Sequence, residues 1–477
     1  MSFPKAASVS LRDSQLRRNL AKATGTIRAK RASVVGEVPD WAELREAGRA
    51  LKDSALASLD SQLERLEAAV TDAGGRVHWA RDGAEANRIV CEIARAQGVD
   101  EVVKVKSIVT DEIKLNEALA DAGVRAIETD LAELIIQLGH DKQSHILVPA
   151  IHKNRAEIRE VFARELGLPD LTDDPPALTE AARLHLRAKF LSARMGISGA
   201  NFAVAETGTV SVFESEGNGR MCTTLPDVLV TVMGIEKLVP AWRDMEVFIQ
   251  LLPRSSTGER MNPYTSFWTG VSAGDGPQEF HLVLLDNGRS RILKDAVARE
   301  ALLCIRCGAC MNTCPIYNQV GGYAYGAVYQ GPIGSMLTPL LLGTKTAGGL
   351  AFASTLCGAC AELCPVMIPI PEILLHLRRR VVEGDSFEGA SVPGTLRAVA
   401  RVGRMVLGSP ALYRLGGRLA RTLQAPWRRG DWLPALPPPL DRWTMSRPFP
   451  AFRGDFRAWW KTRKAAARRT EGGGSHG

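Results

Sequence analysis

The stretch Cys304-Ile-Arg-Cys307-Gly-Ala-Cys310-Met-Asn-Thr-Cys314-Pro315 has the cysteine spacing C-x2-C-x2-C-x3-C-P. Bacterial ferredoxins hold a 4Fe–4S cluster with this spacing. It suits a cubane cluster because each iron takes one thiolate, and a short loop with three closely spaced cysteines presents three sulfurs to one face. The proline after the fourth cysteine restricts the backbone before it and turns the chain away from the loop.

A second run, Cys357-Gly-Ala-Cys360-Ala-Glu-Leu-Cys364-Pro365, repeats the last three cysteines of the first run at the same spacing. In two-cluster ferredoxins the cysteine before the proline ligates the cluster of the other run. We therefore predict two interleaved ligand sets, which together use seven of the nine cysteines. Cluster 1 takes Cys304, Cys307, Cys310 and Cys364, and cluster 2 takes Cys314, Cys357 and Cys360.

Cluster 2 is one thiolate short in this assignment, because Ser354 stands where the first cysteine of its run would be. Its fourth ligand is then the Ser354 oxygen, water, another group or a residue from a partner subunit. The alternative is a 3Fe–4S cluster. Paired C-x2-C units also form zinc ribbons. The third cysteine at the same spacing and the two Cys-Pro pairs favour iron–sulfur clusters over zinc.

Length and composition are those of an ordinary globular protein. A chain of 477 residues suits two or three domains. No run of 18 apolar residues occurs, so no transmembrane helix is expected, and the N-terminus lacks the apolar core of a signal peptide. Cysteines grouped for cluster ligation indicate a reducing compartment rather than disulfides. We therefore expect a cytoplasmic protein.

The order of predicted elements divides the first 295 residues into two regions. Residues 1–75 are predicted to be helical, with the basic segment 11–34 as a solvated or partner-facing arm. From residue 76 short apolar strands alternate with helices, which predicts an α/β domain with a mixed sheet over 76–295. The predicted strands include residues 145–148 and 247–252.

The remaining residues form a cluster domain and a basic tail. A long insert separates the two cysteine runs, so we expect residues 296–380 to form an α-helical ferredoxin domain rather than a small β-ribbon one. Residues 381–477 form a C-terminal tail, whose last residues from Gly472 are expected to be disordered. From residue 391 onward it carries 17 Lys and Arg against four Asp and Glu.

The tail also holds five of the nine tryptophans: Trp427, Trp432, Trp443, Trp459 and Trp460. We expect it to dock onto a partner protein. Contact with an anionic membrane surface is the second interpretation, because basic residues with interfacial aromatics suit one. A solvated basic face without a partner is the third. Nucleic acid is disfavoured because no nucleic-acid-binding module accompanies the charge.

The α/β region carries a glycine-rich polar stretch between residues 196 and 220 but neither a dinucleotide-binding nor a P-loop fingerprint. We predict that backbone amides, Asn218 and Arg220 line an anion pocket near Glu206 and Glu216, since arginine binds carboxylates through two hydrogen bonds. Turns alone would also explain the glycines. Glu206, Glu216 and Arg220 are therefore the candidate catalytic residues.

Several motifs together resemble the lactate-utilisation protein B family over most of the chain. They are Lys106-Ser-Ile-Val-Thr-Asp-Glu112, Gly199-Ala-Asn-Phe-Ala-Val-Ala-Glu-Thr-Gly-Thr209, Glu216-Gly-Asn-Gly-Arg220, the insert Gly321–Gly334 and both cysteine runs. The resemblance implies that residues 76–295 are a LUD domain, related to the NagB/RpiA/CoA-transferase-like folds. It further implies a three-protein complex that oxidises L-lactate to pyruvate, in which this chain works beside a cysteine-rich subunit and a second LUD protein.

The residues themselves indicate electron transfer more directly than they indicate lactate. Oxidising a 2-hydroxy acid needs a base and a two-electron acceptor, usually flavin or nicotinamide. Neither fingerprint is visible, so we expect an electron-transfer subunit, with the hydride chemistry in another subunit or at an unrecognised site in the LUD domain. The alternatives are a catalytic LUD enzyme acting on a small carboxylate, with the clusters as a relay, and a non-enzymatic redox sensor.

Overall fold

The computed structural model describes residues 2–385, 394–437, 440–444, 447–454 and 456–471. The chain forms two compact units, Met1–Ala390 and Ser391–Gly477. The first unit contains the helical N-terminus, the α/β region and both cysteine runs. The predicted disorder from Gly472 onward lies outside the described residues.

Four helices open the first unit: α1 Phe3–Ser10, α2 Ser14–Gly36, α3 Trp41–Ala57 and α4 Leu59–Asp72. Helix α2 begins where the Asp13 side chain accepts a hydrogen bond from the Leu16 amide. Leu16, Leu20 and Thr24 recur every four residues and are buried. This face packs against helices of the cluster region. The expectation that this basic segment is a solvated or partner-facing arm is therefore wrong. Most of its basic side chains lie on the outer face, but Arg31 is buried.

Ten strands follow in chain order. They are β1 Arg76–Ala80, β2 Glu101–Lys104, β3 Arg125–Glu128, β4 Met195–Ser198, β5 Phe202–Val204, β6 Thr209–Glu214, β7 Val228–Gly234, β8 Leu238–Val239, β9 Tyr264–Trp268 and β10 Glu279–Leu285. Six of them form a wholly parallel sheet in the order β1-β10-β7-β4-β2-β3. The others form a separate four-stranded sheet, β8-β5-β6-β9, which mixes parallel and antiparallel pairs. The single mixed sheet of the sequence prediction is thus two sheets.

Helices accompany these strands on both sides of the parallel sheet. They are α5 Gly83–Ala96, α6 Ile108–Glu112, α7 Leu115–Asp121, α8 Leu131–Leu138, α9 Arg155–Glu165, α10 Pro175–Ser192, α11 Asn218–Thr224, α12 Met245–Ser256 and α13 Arg289–Leu293. Strand β7 is buried along its whole length. Val230 and Val232 enter one hydrophobic core, whereas Leu229 and Met233 enter another. Both faces of a covered parallel sheet are buried.

Two predicted strands are not strands. Residues 247–252 lie within helix α12, because Phe248, Leu251 and Leu252 fall on one helical face and are all buried. Residues 145–148 form an irregular loop. There the His145 side chain accepts hydrogen bonds from the amides of Leu147 and Val148, which satisfies donors that a strand would have paired with a neighbour.

The cluster region is helical, as its long insert predicts. Its helices are α14 Ala309–Thr313, α15 Tyr317–Val320, α16 Gly331–Leu342, α17 Thr344–Ala347, α18 Ala359–Glu362 and α19 Ile370–Glu383. All residues from 296 to 383 are described, and none of them forms a strand. Helix α16 is buried along ten consecutive residues and forms the centre of this region.

The second unit contains helices α20 Gly394–Gly408, α21 Pro410–Leu423, α22 Asp441–Thr444 and α23 Phe456–Glu471. Short strands β11 Trp432–Leu433 and β12 Phe449–Pro450 pair in antiparallel fashion. Helices α20 and α21 pack against each other. Ser409 separates these two helices and caps α21 by accepting a hydrogen bond from the amide of Leu412.

Candidate iron–sulfur site and adjoining cavity

The structure brings the seven cysteines of the two runs close together. The first group, Cys304, Cys307, Cys310 and Cys364, lines one small pocket. In the second group, Cys314 and Cys357 both lie close enough to raise the pKa of the Cys360 thiol, which burial brings to about 12. Helices α14 and α18, which carry Cys310 and Cys360, pack against each other, so the two groups are neighbours.

Backbone N–H groups lie close to each of the seven sulfurs. The Arg306 amide donates to Cys304 Sγ at 3.4 Å, and the Tyr317 amide donates to Cys314 Sγ at 3.5 Å. The amides near the other five sulfurs are those of Ala309, Ile333, Ala359, Ala361, Val366 and Ile368. Such N–H···S bonds stabilise sulfur that carries negative charge and tune the potentials of iron–sulfur clusters.

The charge around the cysteines also suits an anionic cluster. Burial raises the pKa of the Cys307 thiol, so this group gives up its proton only when a cation takes the proton's place. Arg31 and Arg45 lie near Cys364, and both donate to backbone carbonyls of its loop. A zinc site would need four ligands around one ion at about 2.3 Å. No group of three or more metal-ligating side chains converges on one point among the described residues. The nearby amides and arginines suit the negative charge of an iron–sulfur cluster.

The second group differs in exposure and remains one thiol short. Cys357 is exposed, whereas Cys314 and Cys360 are buried. The Ser354 hydroxyl accepts a hydrogen bond from the Leu356 amide at 3.1 Å. Ser354 therefore lies beside the cysteine loop, and its hydroxyl is one of the candidates for the fourth ligand of this group.

His145 joins the cysteine loop to the α/β region. Its Nδ1 accepts the amides of Leu147 and Val148, so the ring proton lies on Nε2, which donates to Asn312 Oδ1 at 3.1 Å. Burial lowers the pKa of His145 to about 4, so the ring is neutral. Asn312 stands between Cys310 and Cys314, and the bond therefore holds the first cysteine run against the loop of residues 145–148.

A cavity of about 390 Å³ lies at the carboxyl ends of β2, β3, β4 and β7. Open parallel sheets commonly bind ligands at this edge. Polar side chains from the loops after these strands line it, and the cluster region closes it with Arg306 and Tyr329. The polar and charged residues around it include Lys106, Ser107, Asp130, Asn201, Glu216, Asn218, Lys237, Asn262 and Arg289.

A buried network of ion pairs forms one wall of this cavity. Arg289 contacts Glu112 at 2.9 Å and Glu236 at 2.6 Å, and Arg306 contacts Glu236 at 3.1 Å. Burial alone would raise the pKa of Glu236, but Arg289 and Arg306 lower it to about 2. The Arg306 guanidinium also lies over the Tyr329 ring, 5.1 Å from its centroid. The network therefore ties the cysteine loop to the sheet through charged groups that compensate one another.

Lys237 also lines the cavity but takes no part in this network of ion pairs. It follows β7 and is only 9% exposed. Burial and the nearby Arg306 lower the pKa of Lys237 to about 7. By contrast, Lys106 pairs with Asp130 at 3.0 Å.

The sequence-predicted pocket residues divide into two pairs. Glu216 and Asn218 line the cavity, and Glu216 accepts the Leu131 amide at 2.9 Å. Burial and the nearby Asp130 raise the pKa of Glu216. Glu206 and Arg220 do not line the cavity, so the expectation that all four residues share one pocket is wrong.

Glu206 and Arg220 have surroundings of their own. Glu206 is exposed, accepts the amide of Trp242 at 2.9 Å and lies 3.7 Å from Arg65. Arg220 is exposed on α11, where its amide donates to Glu214. Helical geometry separates it from Asn218, because residues two apart on a helix do not face each other.

Comparison with known proteins agrees with this architecture. Residues 63–285 match the LUD domain, and residues 300–368 match the 4Fe-4S dicluster domain. The chain is 43% identical over 452 residues to lactate utilization protein B of Oceanobacillus iheyensis, covering 94% of this chain and 93% of that one. The chain belongs to the lactate utilization protein B family. The Bacillus licheniformis member is 40% identical over 467 residues, with 97% of each chain covered.

A further relative carries a description of a different kind. It is an uncharacterized electron transport protein, YkgF, of Escherichia coli K12, 42% identical over 460 residues with 95% of each chain covered. The matches confirm the predicted family, the LUD domain and an iron–sulfur domain after it. Among the residues that the structure describes, no helix combines the length and the apolar character that crossing a membrane requires.

The cavity residues of this lactate utilization protein B family member that the sequence does not reveal include Lys237, Arg306 and Tyr329. Lys237 lies in a short apolar segment that reads as core. Arg306 could have been found, because a charged residue between two cysteines of the first run suggests a role beside the cluster. Tyr329 comes from the insert between the runs, and only the fold brings it to the sheet edge.

Proposed function

We propose that this chain is the iron–sulfur electron-transfer subunit of a complex that oxidises L-lactate to pyruvate. The observation that supports it most is the set of seven cysteines, which lie in two neighbouring groups with backbone N–H groups close to every sulfur. Bound iron–sulfur clusters supply one-electron transfer. Relatives named for lactate utilization and for electron transport support the same role.

The cysteines take the roles that their grouping favours. Cys304, Cys307, Cys310 and Cys364 would hold one cluster, and Cys314, Cys357 and Cys360 would hold the other. The Arg31 and Arg45 guanidinium groups offset the negative charge of the first set. Ser354, water, another group or a partner residue completes the second set if that cluster has four irons.

The difference in exposure indicates where a redox partner approaches. Cys357 is exposed, whereas the first group lies between the α/β region and the N-terminal helices. A partner that exchanges electrons therefore docks most readily near Cys357. We propose that the partners are a cysteine-rich subunit and a second LUD protein, and that the tail helps to bind one of them.

Helix α21 supports the proposed role of the tail. Leu412, Leu415, Leu419 and Leu423 form one exposed apolar stripe along it. Arg414, Arg418 and Arg421 lie on the opposite side of the helix. An amphipathic helix with an open apolar stripe suits a groove on another protein, and contact with an anionic membrane surface is the alternative.

Anaerobic purification with iron and sulfide counting, followed by EPR spectroscopy, tests the proposal. We expect about eight irons per chain, or about seven if the second cluster is 3Fe–4S. Addition of L-lactate should reduce the clusters only when the partner subunits are present. A colourless protein that holds zinc through these thiols contradicts the electron-transfer role. Lactate turnover by this chain alone contradicts the division of labour.

A catalytic LUD domain is the second candidate function, and the cavity beside the first cysteine run favours it. Arg306 lines both this cavity and the pocket of the first cysteine group. Ile146 also lines both. A small molecule bound at the sheet edge would therefore lie next to the residues that hold the first cluster.

A further inference from the structure

Lys237 is a buried ammonium group without a counter-ion. No side chain among the described residues forms an ion pair or a hydrogen bond with it, although only 9% of the residue is exposed. Lys52 and Arg306 lie nearby and repel it, and the nearby Glu236, which attracts it, is already paired with Arg289 and Arg306. Lys52 donates to the carbonyls of Glu236 and Leu238 instead. Burying an unpaired charge is costly, so a lone cation that lines a cavity indicates a missing anion.

The other charges of the cavity select the kind of anion. Lys106, Arg289 and Arg306 are each paired with a carboxylate. Lys237 is thus the single positive charge left over in the part of the cavity wall that the structure describes. Glu214 and Glu216 also line the cavity and would repel a second negative charge. The site therefore suits a monoanion, and it disfavours phosphate esters and dicarboxylates.

Two unpartnered oxygens add a second, independent indication. Thr257 Oγ1 and Asn262 Oδ1 are buried, line the same cavity and find no hydrogen-bond partner within the described ranges. Buried polar atoms are almost always hydrogen-bonded, so exceptions at a cavity point to a bound molecule. A hydroxyl can donate to Asn262 Oδ1, and the Thr257 hydroxyl can donate to a carbonyl oxygen.

We propose that this cavity binds a small 2-hydroxy or 2-oxo monocarboxylate, with Lys237 as the counter-ion of the carboxylate and Thr257 and Asn262 as partners for the neighbouring oxygen. The inference rests on the proposed function, since it assigns that function's class of small molecule to a site in this chain. Gly199 supports the site, because a Cβ there would clash with the Ser107 hydroxyl and disturb the cavity wall.

The location of the cavity supplies a readout that does not depend on turnover. Arg306 lines the cavity, and its backbone amide also donates to Cys304 Sγ. Its guanidinium donates to the Cys304 carbonyl at 3.3 Å. Occupancy of the cavity should therefore change the EPR spectrum of the reduced cluster that Cys304 holds. A ligand bound elsewhere on the protein would leave that spectrum unchanged.

Equilibrium dialysis of the anaerobically purified full chain against radiolabelled L-lactate and pyruvate tests the proposal. We expect saturable binding of either acid, and we expect Lys237→Met to weaken it about tenfold or more, because a charge-assisted contact is lost. The matched control is Lys294→Met, which removes an exposed lysine outside the cavity and should bind as the wild type does. Unchanged cluster absorbance shows that each variant is folded.

A second variant covers the case in which Lys237→Met fails to fold. Asn262→Ala removes an unpartnered oxygen at a half-buried position and should weaken binding severalfold. Wild-type affinity in both variants contradicts the proposal, as does the absence of any retention of either acid at millimolar concentration. Tighter Lys237-dependent binding of succinate or inorganic phosphate contradicts the selection of a monoanion.

The two proposals fail separately. If the chain retains monocarboxylates through Lys237 but is isolated without iron, the electron-transfer role falls and the binding site stands. If it carries iron–sulfur clusters but Lys237→Met changes neither retention nor the EPR response, the binding site falls and the electron-transfer role stands.

Discussion

The seven clustered cysteines differ from the other two in the groups around their sulfur atoms. The Cys91 sulfur contacts the Ala118 carbonyl within a hydrophobic core, and Cys222 is fully buried beside Thr129. Neither is surrounded by amide donors as the clustered thiols are. The surroundings of each sulfur, and not its burial alone, distinguish a ligand from a core residue.

Cys304→Ala should therefore lower the iron content of anaerobically purified protein by about four atoms per chain, because one cluster loses a ligand. Cys91→Ala is the matched control and should retain all the iron, since it removes a thiol from the core. Colorimetric iron counting with EPR checks both variants. Full iron content in the Cys304→Ala protein would contradict its assignment as a ligand.

Substitution of His145 should destabilise the first unit. His145→Ala leaves the amides of Leu147 and Val148 and the Asn312 oxygen without their partner. Each buried unsatisfied group costs about 1–3 kcal/mol, and three groups lose a partner, so we expect the free energy of unfolding to fall by about 3 kcal/mol or more. Urea denaturation measures it. His140→Asn is the control, because His140 is exposed and asparagine tolerates its left-handed backbone.

His145 also predicts a pH dependence. Its pKa is about 4 when folded and 6.5 in the reference state, so the unfolded chain takes up a proton first as the pH falls. The contribution of the neutral ring is therefore fully present above pH 6.5. It declines toward pH 4, by about 3 kcal/mol in all. Urea unfolding near neutral pH and at about pH 5 should show a smaller loss for His145→Gln than for the wild type. Equal losses would show that another group dominates.

The secondary-structure elements show which parts of the fold the sequence could predict. Strands β1, β2, β3 and β10 were found because an isolated apolar run flanked by helical patterns has few other interpretations. Residues 247–252 were misassigned because β-branched and aromatic residues favour a strand locally, whereas burial of Phe248 and Leu251 against the cluster region favours a helix. That packing joins segments far apart in the chain, and local pattern does not report it.

Helix α21 allows the proposed role of the tail to be tested. Leu415 and Leu419 lie on its apolar stripe and are 52% and 48% exposed. We expect the double variant Leu415→Glu/Leu419→Glu to lose co-purification with the partner subunits while it keeps its clusters, because charge disrupts an apolar contact. The matched control, Arg414→Gln/Arg418→Gln, changes the net charge equally but leaves the stripe intact, and it should still co-purify.

Liposome sedimentation distinguishes the two proposed binding partners of the apolar stripe, a protein and an anionic membrane. If the tail binds an anionic membrane, both double variants should lose sedimentation with anionic vesicles, and added salt should release the wild type. If it binds a protein, neither the wild type nor the variants should sediment appreciably. Co-purification that survives in the Leu415→Glu/Leu419→Glu protein would contradict a role for the stripe in subunit binding.

At the scale of the whole molecule, the cavity exists only because distant segments meet. Its wall combines the loops after β2 and β4 with Lys237, Arg306 and Tyr329. Glu216 and Asn218 could be predicted from the sequence because glycines and polar residues cluster around them locally. Glu206 is predicted in the same pocket because it is close to Glu216 in sequence, but strand β6 lies between the two and separates their surroundings. Proximity along the chain predicts which cysteines lie together but predicts cavity residues poorly, since cysteine loops are local and sheet edges are not.

Contacts between distant segments also hold the N-terminal helices against the second cysteine run. Arg45 donates to the carbonyls of Cys364 and Glu362 at 3.0 and 2.8 Å, and Arg31 and Arg49 donate to the carbonyls of Leu363 and Met367. These bonds join residues more than 300 positions apart, and they fix the loop that presents Cys364. The first helices therefore act as a brace for the cysteine loop, and loss of one arginine should loosen it.

Arg45→Ala should therefore release iron to a chelator several times faster than the wild type, because two carbonyls beside Cys364 lose a charged donor. Arg45→Lys should release iron at a rate between those of Arg45→Ala and the wild type, since lysine keeps the charge without the planar pair of donors. Arg17→Ala is the control, because Arg17 contacts only the exposed Gln319 side chain among the described residues. Bleaching of the cluster absorbance under anaerobic chelator challenge gives the rates. Equal rates for Arg45→Ala and the wild type would show that the loop keeps its geometry without the brace and that the cysteine run alone determines how firmly iron is held.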